Sequence, residues 1–189
     1  NNEKECYDEI EKFVSSLKTL SSRFRDITAP TESKFFKNIP QKDEIRLCTA
    51  KFQRLELSTQ ITPFLLSIHH KFYSKPNELI DLMERWEILT FRIYYLVEWQ
   101  SHTAKTKIYR LSNKIYNDRI SYAKIIQEIN SIDKEYMETE LSSIVPAGTD
   151  TIQHYLSQSS NRYRWSGLKY FLYEYEWNRC KQTSKKDPF

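Results

Sequence analysis

Glycine occurs only twice in this 189-residue chain, at Gly148 and Gly167, where average usage would place about thirteen. Such a backbone is unsuited to serial tight hairpins, which need residues that accept positive φ. The spacing also excludes a Walker loop, a G-x-G-x-x-G dinucleotide turn and a G-x-S-x-G nucleophile elbow. Helices remain as the means of burying apolar surface. The expected fold is all-α, a multi-helix bundle of about seven or eight helices.

The apolar spacing supports this. Ile10, Phe13, Val14, Leu17, Leu20, Phe24 and Ile27 recur at intervals of three and four, predicting a first amphipathic helix that ends near Ile27. Pro30 and Pro40 bracket a polar loop containing Phe35 and Phe36, and Asp43 is a natural N-cap for a second helix carrying Ile45, Leu47, Cys48, Phe52, Leu55 and Leu57. Pro63 suits the first turn of a short helix that includes Phe64, Leu65, Ile68 and Phe72 and closes at Pro76. The most apolar stretch, 77–99, predicts a central helix packed on several sides. Further helices are expected over 105–117 and 121–144, over a short segment through Ile152 and Leu156, and from about Arg164 to Gln182.

Hydrophobic residues at 39% and charged residues at 29% suit a folded unit. A single helical domain is expected over 1–182, as a fragment of a larger protein, with 183–189 as a linker toward a further C-terminal domain. Even the apolar stretch from Leu79 to Trp99 carries Asp81, Glu84, Arg85, Glu87, Arg92 and Glu98, so no membrane span is expected. Cys6, Cys48 and Cys180 are odd in number and have no C-x-x-C pairing, which points to a reduced, cytoplasmic setting without structural zinc.

Candidate chemistry is sparse. His69, His70, His102 and His154 sit in no H-E-x-x-H pattern and read as packing or surface residues. Glu32-Ser33-Lys34 has the E-x-K form of metal-dependent nucleases, but such sites ride on strands, and this triplet lies in a proline-bounded loop. Trp86, Phe91, Tyr94, Tyr95 and Trp99 read as core aromatics. Arg85 and Arg92, one heptad apart, are expected to form salt bridges with Glu84, Glu87, Glu98 or acids of another helix. No catalytic residue, metal ligand or cofactor is therefore assigned. The most basic stretch is C-terminal. Arg162, Arg164, Lys169, Arg179 and Lys181, interleaved with Tyr and Trp, are the candidate nucleic-acid contacts, with double-stranded DNA as the candidate partner.

Arg164-Trp-Ser-Gly-Leu-Lys-Tyr-Phe-Leu-Tyr-Glu-Tyr-Glu176 resembles the helix that precedes the HNH nuclease domain in GmrSD-type restriction and phage-defence proteins. The earlier order of features, a long first helix, then Ile-Thr-Pro-Phe-Leu-Leu at 61–66, then the 79–92 helix ending in Phe-Arg, is similar to that family's helical middle region. The resemblance implies a bacterial parent with a ParB/sulfiredoxin-like nucleotide-dependent N-terminal domain and a C-terminal HNH nuclease domain. Neither the D-G-Q-Q-R motif of the first nor the E-H-I motif of the second occurs here, so no catalytic residue carries over. The function expected is a non-catalytic helical connector or scaffold of a GmrSD-like DNA restriction endonuclease, partnered by its flanking domains. The alternative is a stand-alone helical protein-interaction module that uses exposed apolar surface such as Phe35-Phe36.

Overall fold

The computed structural model describes residues 2–30, 32–33, 39–55, 61–96, 104–144 and 167–182. These form an all-α bundle of seven α-helices and one π-helical segment, with no strand among the described residues. In chain order the helices are α1 (Asn2–Thr28), α2 (Lys42–Arg54), α3 (Thr62–Lys71), α4 (Pro76–Thr90), α5 (Lys105–Tyr116), α6 (Tyr122–Ile144) and α7 (Leu168–Gln182). Phe91–Leu96 continues α4 as a π-helix.

Local chemistry accounts for most boundaries. Neither glycine nor proline falls within the 27 residues of α1, and the helix stops just before Pro30. Buried Asp26 fixes the following turn by accepting a hydrogen bond from Ser33 Oγ at 2.5 Å. The second helix begins one residue earlier than the expected cap. Gln41 is its N-cap and makes no side-chain capping bond, while Asp43 and Glu44 lie in the first turn, where acids complement the positive end of the helix dipole. Pro63 and Pro76 occupy the first turns of α3 and α4, where their missing N–H costs no hydrogen bond. Thus Pro76 opens α4 as well as ending the preceding turn.

Scarcity of glycine shows most clearly after α5. Arg119 N–H donates to the Lys114 carbonyl at 2.8 Å and Asp118 N–H to that of Ile115 at 3.1 Å, the two bonds of a Schellman cap. The left-handed position usually filled by glycine holds Asp118, at φ 55°. Its carboxylate lies 2.7 Å from Lys71 Nζ, and the Lys71 ammonium also donates to the Ile120 carbonyl, which ties this turn to α3.

At the centre, α3 packs on α1, α4 and α5, while α4 packs on α2, α3 and α6. The Phe64 and Trp86 rings stack with centroids 3.8 Å apart and planes 18° from parallel. Around them Ile45, Phe52, Leu65, Ile68, Leu79, Leu82 and Met83 are buried, joined by Ile108, Leu111, Ile115, Ile125, Ile129 and Ile132 from α5 and α6. The aromatic cluster assigned to the core is in part there: Trp86 is buried, and Phe91, Tyr94 and Tyr95 pack half-buried against the core. Trp99 lies outside the described residues, as do Phe35-Phe36 and the segment through Ile152 and Leu156.

The expected amphipathic first helix forms as α1, but most of its apolar stripe does not face the core. Ile27 is buried and Leu20 half-buried, but Ile10, Phe13, Val14, Leu17 and Phe24 all face solvent. The 3.6-residue period identifies the helix. It carries no information on which body the stripe will meet.

Candidate functional site: the charged junction of α2, α4 and α7

Two cations one turn apart on α2, Lys51 and Arg54, face two carboxylates from distant parts of the chain. Lys51 Nζ lies 3.5 Å from Glu87 Oε2 on α4 and 3.2 Å from Glu174 Oε2 on α7. Arg54 Nη2 donates to Glu174 Oε1 at 2.9 Å, and its guanidinium covers the Tyr173 ring at 3.7 Å from the centroid. All four charged side chains are less than one-fifth exposed. Glu174 thus receives two cations, and Lys51 serves two acids.

The electrostatics follow from burial and this charge count. Desolvation pulls the Lys51 ammonium down, but Glu87 and Glu174 together outweigh it and leave its pKa above the ordinary value. Burial pushes the Glu87 carboxyl up, and the single shared ammonium only partly offsets that, with Glu174 adding repulsion. One turn before Lys51, the Cys48 thiol is pushed up to about 12, by burial first and by Glu84 next. Lys51 therefore remains an ammonium and Cys48 a thiol at neutral pH, so neither serves as base or nucleophile. The junction works as an ionic fastener between α7 and the body.

Among the described residues, the buried apolar side chain of α7 is Tyr170. Tyr170 is buried against Phe91, with ring centroids 5.0 Å apart, whereas Phe171, Leu172 and Tyr175 point to solvent. Among the candidate DNA contacts, Lys169 and Arg179 are exposed on α7, roughly 15 Å apart along the helix at 1.5 Å per residue. Arg179 Nη1 lies 3.5 Å from Glu176 Oε1. Lys181 lies on α7 with its side chain outside the described part, and Arg162 and Arg164 lie outside the described residues. Neither Lys169 nor Arg179 belongs to the Lys51–Arg54 junction, and of the basic C-terminal stretch it is an acid, Glu174, that does.

The other sequence candidates separate similarly. Arg85 pairs with Asp81, both bonds within 3.0 Å, in place of the glutamates considered for it; Tyr122 Oη also donates to Asp81 at 2.5 Å. Arg92 reaches Asp133 of α6 at 2.5 Å. Both arginine pairs are more exposed than the junction. Glu32 is exposed, and Lys34 lies outside the described residues. His69 is completely buried, and its pKa is pushed down to about 3 by desolvation, with the Arg23 charge adding to the effect. His70 is half-buried against Tyr116, while His102 and His154 lie outside the described residues. No group of three or more His, Cys, Asp or Glu that could hold a metal ion occurs among the described residues. Nor, among them, is any helix long and apolar enough to cross a membrane. A groove of about 320 Å³ between α1, α3 and α5 is lined by Leu20, Pro63, Leu66, Tyr109, Ser112 and Tyr116, and among the described residues no carboxylate, imidazole or cation lines it.

Comparison of the chain with protein-family models, with curated proteins and with solved structures gives no match.

Proposed function

We propose that this chain is a helical connector of a GmrSD-like DNA restriction endonuclease, which sets the position of α7 relative to the rest of the bundle. The observation carrying this reading is the Glu174 clamp. Charge holds α7 to Lys51 and Arg54, while the exposed Leu172 and Tyr175 can meet a flanking domain. Ionic contacts between packed elements can be exchanged with less loss of apolar burial than a core helix would suffer, which suits a joint that passes on domain movement. On this reading Lys169 and Arg179 lie on the same helix as the joint, where they can meet a phosphate backbone.

In the parent protein, Glu174→Lys is expected to lower DNA cleavage while leaving nucleotide turnover intact. Cleavage unchanged by that variant overturns the connector reading, as does magnesium- or manganese-dependent cutting by this chain alone. DNA contact is tested separately, by the affinity of the chain for fluorescent duplex across a salt series, with Lys169→Ala and Arg179→Ala expected to weaken it. A second reading, a protein-interaction module, is favoured by the exposed apolar face of α1; self-association without DNA affinity is its signature.

A further inference from the structure

The exposed residues of α1 fall into a strict heptad. Tyr7, Val14 and Ser21 occupy one seam position, and Ile10, Leu17 and Phe24 the other, alternating at intervals of three and four over roughly 26 Å of helix. The five apolar side chains among them are between 47% and 73% exposed, and Phe13 beside the seam is 63% exposed. Single exposed apolar residues are ordinary, but a continuous stripe of this length marks a contact surface. The body does not cover it because α1 meets α3 through a different side of the helix. Leu20, Arg23 and Ile27 are turned inward there, with the Arg23 guanidinium over the Tyr73 ring at 3.2 Å.

Charge along α1 identifies the occupant. Residues 5–12 carry Glu5, Asp8, Glu9 and Glu11 against Lys12, whereas 18–25 carry Lys18, Arg23 and Arg25 and no acid. A second α1 running parallel would align acidic half with acidic half and offer no opposite charge across the seam. An antiparallel copy sets each acidic half beside a basic half. In the antiparallel register the seam layers are Tyr7 on Phe24, Ile10 on Ser21 and Val14 on Leu17, each occurring twice by the two-fold. Glu11, Lys18 and Arg25 all flank one side of the seam, and in an antiparallel pair that side meets its own equivalent. Glu11 of one copy then faces Lys18 of the other, twice. In a parallel pair the same positions would face Cys6, Phe13 and Leu20, which are uncharged.

We propose that α1 is a dimerisation helix, pairing through its Tyr7–Phe24 seam with α1 of a second copy of this chain in an antiparallel coiled coil. The inference stands independently of the connector reading.

Sedimentation equilibrium of the whole chain under reducing conditions, over a concentration series, tests it. Wild type is expected to form a dimer. Ile10→Glu with Leu17→Glu, at exposed positions that leave the bundle core untouched, is expected to weaken the dimer roughly a hundredfold with an unchanged helical circular dichroism spectrum. Glu11→Lys alone and Lys18→Glu alone are each expected to weaken it roughly tenfold, and the double swap to restore it. Wild type that stays monomeric overturns the proposal and assigns the stripe to another partner. Equally, a dimer unaffected by the Ile10/Leu17 pair overturns the seam, and a dimer indifferent to the charge swaps overturns the antiparallel arrangement.

Discussion

Acidification is expected to destabilise the bundle through His69, a fully buried imidazole whose pKa is held at about 3 by desolvation and by the Arg23 charge. In the unfolded chain the same group titrates near 6.5, so below that pH the unfolded state binds a proton that the folded state refuses. The sign follows: stability is complete above about pH 6.5, falls as pH drops, and stops falling on this account near pH 3. Between about pH 7.5 and pH 5 the loss is about 1.4 kcal/mol per unit over the final one and a half units, or about 2 kcal/mol. For a chain of this size that lowers the thermal midpoint by roughly 4–8 °C. The assay is thermal and urea unfolding of wild type and His69→Gln at both pH values. His69→Gln keeps a neutral polar side chain and retains all other titrating groups, including His70 and the carboxylates. It is expected to be less stable than wild type at the higher pH and to lose about 2 kcal/mol less on acidification. Equal acid losses in the two proteins would refute the reasoning, because the buried imidazole would then contribute nothing to the proton balance.

Other expectations concern the core and the junction. Trp86→Ala removes the ring stacked on Phe64 and is expected to cost about 3–5 kcal/mol in denaturant unfolding. Glu87→Gln is expected to stabilise the protein at neutral pH by up to about 1 kcal/mol, since the buried carboxyl resists ionisation while Lys51 keeps Glu174. Because the folded carboxyl titrates above its ordinary value, that gain shrinks as pH falls through the titration and vanishes once the group is protonated in both states; unfolding across that range checks it. A thiol reagent under native conditions should label exposed Cys6 quickly and buried Cys48 only on unfolding, read by mass spectrometry.

How much of this was legible in sequence depends on the range of the interaction. Helix positions follow from local period and punctuation, so the 105–117 and 121–144 expectations agree closely with α5 and α6, and Pro63 sits in the first turn of α3. Caps depend on geometry within a residue or two, which is why Gln41 takes the place expected of Asp43. The change to π-helical pairing at Phe91 has no counterpart in the apolar spacing of 77–99, which runs smoothly through it. The junction was illegible for a stronger reason. Lys51 and Arg54 are separated from Glu174 by some 120 residues, and nothing in either segment marks its partner. In sequence, Glu174 was one of the few acids in a basic stretch; folded, it is the residue that fastens α7. Likewise the α1 stripe shows the period of a packed helix, and only the fold reveals that its own body leaves the stripe uncovered.

Hydrogen exchange of α7 tests the ionic fastening most directly, comparing wild type with Glu174→Ala at low and high salt. Selective loss of protection is expected in the α7 amides of the variant, on the order of 2 kcal/mol of local opening free energy, with α3 and α4 unchanged. Added salt should move wild type in the same direction by a smaller amount. Protection of α7 that is indifferent to both Glu174 and salt would contradict it, and would place the hold on α7 in its apolar contacts through Tyr170.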